Sequence, residues 1–280
     1  MRIITDSAAD FTREELLAND IRCVYTSVIF GSQVRTADDG LTDEEFWAHV
    51  NGGESVKTSQ PSPEAFMAEF ESAKKAGEEV VCICISSALS GTLQSARLAA
   101  SMVDYDRIHI VDSLTGAAGQ KLLVLFACRL RDEGRLLAAQ LAQKLEDLRS
   151  RIRLFASLDT LDSLARSGRI PRAVASIGTL AQLKPLVEVS PEGCIVLCGK
   201  AFGRHRAIDA MVKHIAALKL DPEHPIIPLY SFDNANCRAL LRKLSAAGVS
   251  TSESMLSAIG PSIAAHIGPG AYGAAFVVQE

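Results

Sequence analysis

Four hydroxyls and a glycine fall within the seven residues Ser86-Ser87-Ala88-Leu89-Ser90-Gly91-Thr92. They follow the apolar run 80–85, which reads as a buried strand, and precede residues 93–102, which read as a helix. A loop between a strand end and a helix start is where open α/β sheets place their ligands. Unpaired backbone N–H groups and the helix dipole favour an anion there. A second hydroxyl-rich loop, Lys57-Thr58-Ser59-Gln60-Pro61-Ser62-Pro63, offers Thr58 and Ser59 to a site of the same kind. Serines and threonines also cap helices and close turns, so either loop alone is open to both readings. The third candidate is His266 in Ala264-Ala265-His266-Ile267-Gly268-Pro269-Gly270-Ala271, the one group in the stretch 254–279 that can carry charge near neutral pH. A buried imidazole needs a partner. That partner is either an anionic ligand or a backbone carbonyl of the core.

Several chemistries lack their motifs. There is no Gly-x-x-x-x-Gly-Lys-[Ser/Thr] phosphate loop and no Gly-x-Gly-x-x-Gly fingerprint, which argues against nucleotide binding by either route. Ser90 is not in a Gly-x-Ser-x-Gly elbow, because Ala88 stands two residues before it. Asp6, Asp10, Asp38 and Asp39 are candidate metal ligands, but no histidine lies near them and their spacing is not diagnostic. Arg204 and Arg206 in Gly203-Arg204-His205-Arg206 form a basic helix entry suited to an acidic or phosphorylated partner, or simply to solvent. Ser167-Gly168-Arg169-Ile170-Pro171-Arg172 reads as a turn first and a binding loop second.

The elements that must position these residues alternate along the first half. A strand at 2–5 is followed by a helix opened by the capping box Thr12/Glu15. A hairpin over 24–30 and 33–36 precedes a second capping box, Thr42/Glu45, and Gly52-Gly53 stops that helix. Ser62 with Pro63 opens a helix that Gly77 ends. Strands 80–85 and 108–111 flank the helix at 93–102, and two long helices cover 117–131 and 136–149. Strand–helix alternation predicts a mostly parallel sheet with flanking helices. The second half reads as α+β with an antiparallel sheet. It has a strand at 154–157, a short helix at 161–166 and a hairpin over 186–189 and 195–197. A helix at 206–217, a strand at 226–231, a helix at 235–247 and two closing strands complete it. The expected division is residues 1–150 and 151–280.

At 280 residues the chain has the length of two domains, and 48% hydrophobic residues suffice for large cores. Aromatics are only 5%, so pockets should be aliphatic. A net charge of −4 argues against nucleic acid as the main partner. Seven cysteines match neither a zinc knuckle nor a redox pair and read as free thiols of a reducing compartment. The opening Met1-Arg2-Ile3-Ile4-Thr5-Asp6 does not resemble a signal peptide, which makes a cytoplasmic location the expectation. The uncharged stretch 254–279 is long enough to span a bilayer, but Gly268-Pro269-Gly270 would break such a helix. It is read as strand, buried glycine loop, strand.

With these loops in view, the chain resembles the DegV family of bacterial fatty-acid-binding proteins almost end to end. The resemblance rests on Thr5-Asp6-Ser7, Thr58-Ser59-Gln60-Pro61-Ser62, the loop 86–92 and Val111-Asp112-Ser113. It continues through Ser167-Gly168-Arg169-Ile170, Lys184-Pro185 and His266-Ile267-Gly268-Pro269-Gly270-Ala271. The resemblance implies an N-terminal α/β domain and a C-terminal α+β domain with one long-chain fatty acid between them. It puts the carboxylate contacts on Thr58, Ser90 and His266, with Ser59, Ser87, Gly91 and Gly268 in the supporting loops. It further implies a non-catalytic, lipid-carrying subunit that presents the carboxylate to a separate ATP-dependent fatty acid kinase subunit, docked through Arg204 and Arg206. His205 interrupts that basic pair, and Ser167 stands where many relatives have a second glycine. No cofactor, metal, nucleic acid or membrane span is implied; contact with a membrane surface would be transient.

The chemistry agrees with such a ligand. Burial of each CH₂ contributes ~0.8 kcal/mol, so aliphatic walls supply affinity. A buried carboxylate must receive hydrogen bonds. Two hydroxyls, loop amides and an imidazole would serve without a lysine or arginine, leaving the head group open to a phosphoryl donor. The alternative is a serine acyl hydrolase with Ser90 as nucleophile and His266 as base, which also needs a third, orienting group.

Overall fold

In the computed structural model, residues 1–175 and 182–279 are described. The strands are β1 Arg2–Asp6, β2 Ile21–Val24, β3 Ser27–Phe30, β4 Gln33–Arg35, β5 Val56–Ser59, β6 Val80–Cys84, β7 Ile108–Asp112, β8 Ile152–Ser157, β9 Leu183–Val189, β10 Ile195–Phe202, β11 Ile227–Tyr230, β12 Ser257–Ala258 and β13 Tyr272–Val277. The helices are α1 Arg13–Ala18, α2 Asp43–Asn51, α3 Pro63–Ala76, α4 Thr92–Val103, α5 Ala117–Asp132, α6 Ala138–Arg149, α7 Asp162–Arg166, α8 Arg172–Ala175, α9 Gly203–Ala216, α10 Ala235–Ala246 and α11 Pro261–Ile267.

Apolar runs make the central strands. All five residues of β6 are buried, as a strand covered by helices on both faces requires. It lies in a four-stranded sheet of order β2-β1-β6-β7, parallel throughout. A separate antiparallel sheet, β4-β3-β5, stands beside it. Strands β8 to β13 form a six-stranded sheet of order β10-β9-β8-β13-β11-β12, antiparallel except between β11 and β12. The protein is therefore α/β, with a parallel sheet in the first half and a mostly antiparallel one in the second.

Helix α5 joins the halves. It packs against β1 and β6 on one side and against β8, β11 and β13 on the other. One apolar core consequently runs from Ile3 and Ile83 through Leu122 and Leu123 to Ile227 and Ala275.

Local signals held where both partners are close in sequence. Thr12/Glu15 and Thr42/Glu45 form reciprocal capping boxes, and Gly77 ends α3 at φ 67°. Three expectations are corrected. Val24 ends the parallel strand β2 and does not begin the hairpin, which starts at Ser27. Thr58 and Ser59 lie on a strand, not in a loop, because β5 adds to the edge of β3 in the register Val28↔Thr58. Residues 261–267 form helix α11, not a glycine loop. Pro261 occupies its first turn and Gly268 follows its end at φ 72°, the usual asymmetry of proline at helix starts and glycine at helix ends.

Candidate functional site

The three proposed head-group residues come from three separate elements that meet at one cleft. Strand β5 alternates, with Val56 and Thr58 turned inward and Lys57 and Ser59 exposed. Helix α11 packs against β5 and brings His266 over Thr58. Thr58 Oγ1 and His266 Nε2 lie 2.7 Å apart, a hydrogen bond between residues 208 positions apart in the chain. Ser90 arrives on the loop between β6 and α4. Its Oγ is 2.8 Å from Thr92 Oγ1 and also accepts the Thr92 N–H at 3.3 Å.

These side chains, with Ser59, Gln60, Gly91 and Arg169, line a cleft of about 530 Å³. Ser87 faces away from it. Its N–H and hydroxyl both donate to the Asp112 carboxylate, the hydroxyl at 2.6 Å, which braces the loop from behind. Gly268 lines an outer groove of about 860 Å³, which also contains Lys57 and Arg166. Thr58, Arg169 and His266 line both the cleft and that groove, so the Thr58–His266 pair stands between them. Arg204 and Arg206 lie outside both. Arg204 is within 3.8 Å of Asp159 and more than half exposed.

Inward from the polar mouth the walls become aliphatic. A narrow compartment of about 70 Å³ continues the cleft, and Leu89, Leu164, Ile195, Ile263 and Ile267 line both. Glu188 alone among its lining residues carries a charge.

Burial sets the electrostatics of the mouth. Desolvation, reinforced by the Arg169 guanidinium, pushes the His266 pKa down from 6.5 to about 4, so the imidazole is neutral at neutral pH. Arg169 corrects the expectation of a mouth without a guanidinium. It is partly committed to backbone, with Nε donating to Leu89 O at 3.2 Å and Nη1 to Ser167 O at 2.6 Å. The loop 86–92 is also fixed from below. Asp6, fully buried, accepts the Ile85 N–H at 2.8 Å and the Gln120 amide at 3.1 Å. Its desolvation raises its pKa to about 6 against these hydrogen bonds. Asp6 is thus an anchor of the loop. Among the described residues no group of three or more His, Cys, Asp or Glu side chains is placed to hold a metal.

A polar mouth of hydroxyls, a neutral imidazole and one guanidinium over an aliphatic floor suits an amphiphile with one anionic end. For nucleophilic catalysis the pairing differs from what is needed. Ser90 is bonded to Thr92, and His266 to Thr58. Among the described residues no carboxylate pairs with His266 to orient it. Gln60, Arg169 and Asp6 were not assigned to the site from sequence. Gln60 and Arg169 were marked by their position inside the motifs 58–62 and 167–170, and Asp6 by the motif 5–7 and as a candidate metal ligand.

Fold and cleft together define a three-sheet α/β protein with an amphipathic site between helices and strands of both halves. The chain belongs to the DegV family: the model of that family, described as uncharacterised proteins, matches residues 1–279. A DegV domain-containing protein of Lactococcus lactis is 30% identical over 275 residues, covering 96% of this chain and 94% of the relative. A solved structure described as fatty acid binding of a DegV family protein from Thermus thermophilus is 32% identical. It superposes with a TM-score of 0.87 over 100% of both chains. A stearic acid-binding protein from Eubacterium ventriosum is 27% identical with a TM-score of 0.86, over 99% of this chain and 98% of the other. Among the described residues no helix is long and apolar enough to cross a membrane.

Proposed function

We propose that the protein binds one long-chain fatty acid between its two halves, residues 1–150 and 151–280, with the carboxylate at the mouth and the chain along the aliphatic floor. The observation that carries this reading is the continuity of the cleft, in which five aliphatic side chains are shared between the polar mouth and the apolar compartment. The fatty acids named for the Thermus thermophilus and Eubacterium ventriosum relatives support it.

In this reading Thr58, Ser90 and His266 hold the carboxylate, and Ser59, Ser87, Gly91 and Gly268 support their loops. A neutral His266 donates from Nε2 to Thr58 Oγ1, and the Thr58 hydroxyl then turns its own proton to the carboxylate. Ser90 does the same from the opposite loop once its hydrogen turns from Thr92 to the ligand. Each such bond to a charged oxygen contributes about 1.5–3 kcal/mol. The protein acts as a carrier and not as an enzyme. It presents the carboxylate, through the outer groove, to a separate ATP-dependent kinase subunit that forms an acyl phosphate. Arg204 and Arg206 dock that subunit. Thr58, Ser90 and a neutral His266 favour this role, since they hold the head group without neutralising it, while two of the Arg169 guanidinium nitrogens are engaged by backbone carbonyls.

The test is the lipid that accompanies the protein. After purification from a bacterial host, mass spectrometry should find a long-chain fatty acid at one equivalent per chain. Protein free of lipid that also fails to take up palmitate would end the reading. Ester hydrolysis lost in Ser90→Ala would replace it with the hydrolase.

A further inference from the structure

We propose that Gln60 is a positioning residue, a strut that sets the spacing between the two hydroxyl-bearing segments of the mouth. The inference rests on the head-group reading above. Gln60 lies two residues beyond Thr58, where the chain leaves β5. Its side chain crosses to the other segment, where Nε2 donates to Ser95 Oγ at 2.9 Å on the buried side of α4.

The second half of the strut is Gly91. Its φ is −74°, a value any residue adopts, so the backbone does not demand glycine there. Space does. A Cβ on Gly91 would overlap the Oε1 and Cδ atoms of Gln60. The missing side chain is therefore the seat of the Gln60 amide. Ser90 directly precedes this glycine, and its hydroxyl lines the same cleft. Thr58 lies on β5, paired to β3, whereas Ser90 sits on the loop that follows β6 of the parallel sheet. An amide pinned to Ser95 and seated on Gly91 ties one to the other. Two donors that must converge on one carboxylate tolerate displacements of only about 0.5 Å, so a tie of this kind governs head-group recognition.

The experiment is a pair of double-mutant cycles on delipidated protein, titrated with palmitate and with hexadecanol, which keeps the chain and lacks the carboxylate. Gln60→Ala and Gly91→Ala should each weaken palmitate by roughly tenfold, the scale of one hydrogen bond to a charged group, and leave hexadecanol within about twofold. Combined, they should cost no more than either alone, because without the amide a methyl at position 91 loses the three atoms nearest to it. Gln60→Ala should likewise add little to Thr58→Val, since it acts through Thr58. Equal losses for acid and alcohol, additive cycles, or an unchanged palmitate affinity would each overturn the strut. Additivity with Thr58→Val would mean that Gln60 touches the ligand itself. If Thr58→Val fails to discriminate acid from alcohol, the head-group reading falls; if it discriminates and Gln60→Ala does not, only the strut falls. Melting temperatures accompany each titration. Should Gln60→Ala not fold, Gln60→Met, which keeps the volume without the amide, takes its place, and failure of both to fold assigns Gln60 to structure alone.

Discussion

At the mouth of the cleft, one hydrogen bond joins residues 208 positions apart, Thr58 to His266, and a single loop carries Ser90. On the floor, Leu89, Leu164, Ile195, Ile263 and Ile267 share one surface, and all but Leu89 belong to or pack against the main apolar core. The mouth is made of few, directional contacts and the floor of many, interchangeable ones. Directional contacts discriminate between ligands because each unmet donor is costly. Dispersed apolar contacts supply affinity roughly in proportion to area, whatever the order of the residues. The two regions should therefore fail differently, the mouth through loss of one atom and the floor only through a change of chemical type.

The largest effect should come from changing that type. Ile263→Asp places a carboxylate between mouth and floor, close to Gly116. An unpaired charge against apolar walls costs several kcal/mol, so palmitate affinity should fall by more than about a hundredfold. Titration of the folded variant measures it. A loss under tenfold would mean that the acyl chain does not pass Ile263.

Removing one atom at the mouth comes next. Thr58→Val keeps the shape and drops the hydroxyl, which is both the partner of His266 and the proposed donor to the carboxylate. Affinity for palmitate should fall by about 2 kcal/mol, roughly thirtyfold, with Ser90→Ala somewhat less because its hydroxyl is shared with Thr92. Two silent variants would move the head group elsewhere in the cleft.

The division between floor and mouth also separates what the sequence makes legible from what it does not. The buried strands announce themselves as apolar runs, and Thr12/Glu15 and Thr42/Glu45 as caps, because each signal lies within a few residues. Helix α11 was masked by its own punctuation: Pro261 and Gly268 read as breakers, yet they are its first and last signals. Strand β5 was masked by its hydroxyls, since Thr58 and Ser59 fit a turn as well as an edge strand. That Thr58 meets His266 follows only from how β5 and α11 pack, which no local period encodes. The family resemblance supplied the pair. It did not supply the seat of Gln60 on Gly91, which becomes visible only when a side chain is placed over an α-carbon.

The imidazole gives the mouth a pH signature that the floor lacks. Between pH 6.5 and about 4 the unfolded chain protonates His266 while the folded one does not, so stability falls as pH drops through that window. Asp6 works in the opposite sense. Its folded pKa of about 6 lies above 3.8, so the folded state gains stability as pH falls from 6 towards 3.8. The two slopes oppose in the wild type. His266→Gln removes one, and near pH 4 the variant should gain about 2 kcal/mol relative to its difference from wild type at pH 7, after a discount for the partial exposure of the ring. Urea melts at both pH values measure this, and parallel curves would show that the ring is not neutral when folded.

The smallest effect tests the floor on its own terms. Ile195 and Ile267 each line both mouth and floor, and each is surrounded by further aliphatic carbon. Ile195→Val or Ile267→Val removes one methyl from a wall that keeps its character. The expected loss of palmitate affinity is about 0.5–1 kcal/mol, roughly threefold, since a single buried methyl is worth this much and neighbouring side chains recover part of it. Because the lost contact is with the chain, hexadecanol should weaken by the same factor as palmitate. That equality separates floor from mouth: a Val variant that weakened only the acid would place the isoleucine among the head-group determinants and dissolve the distinction between the two regions.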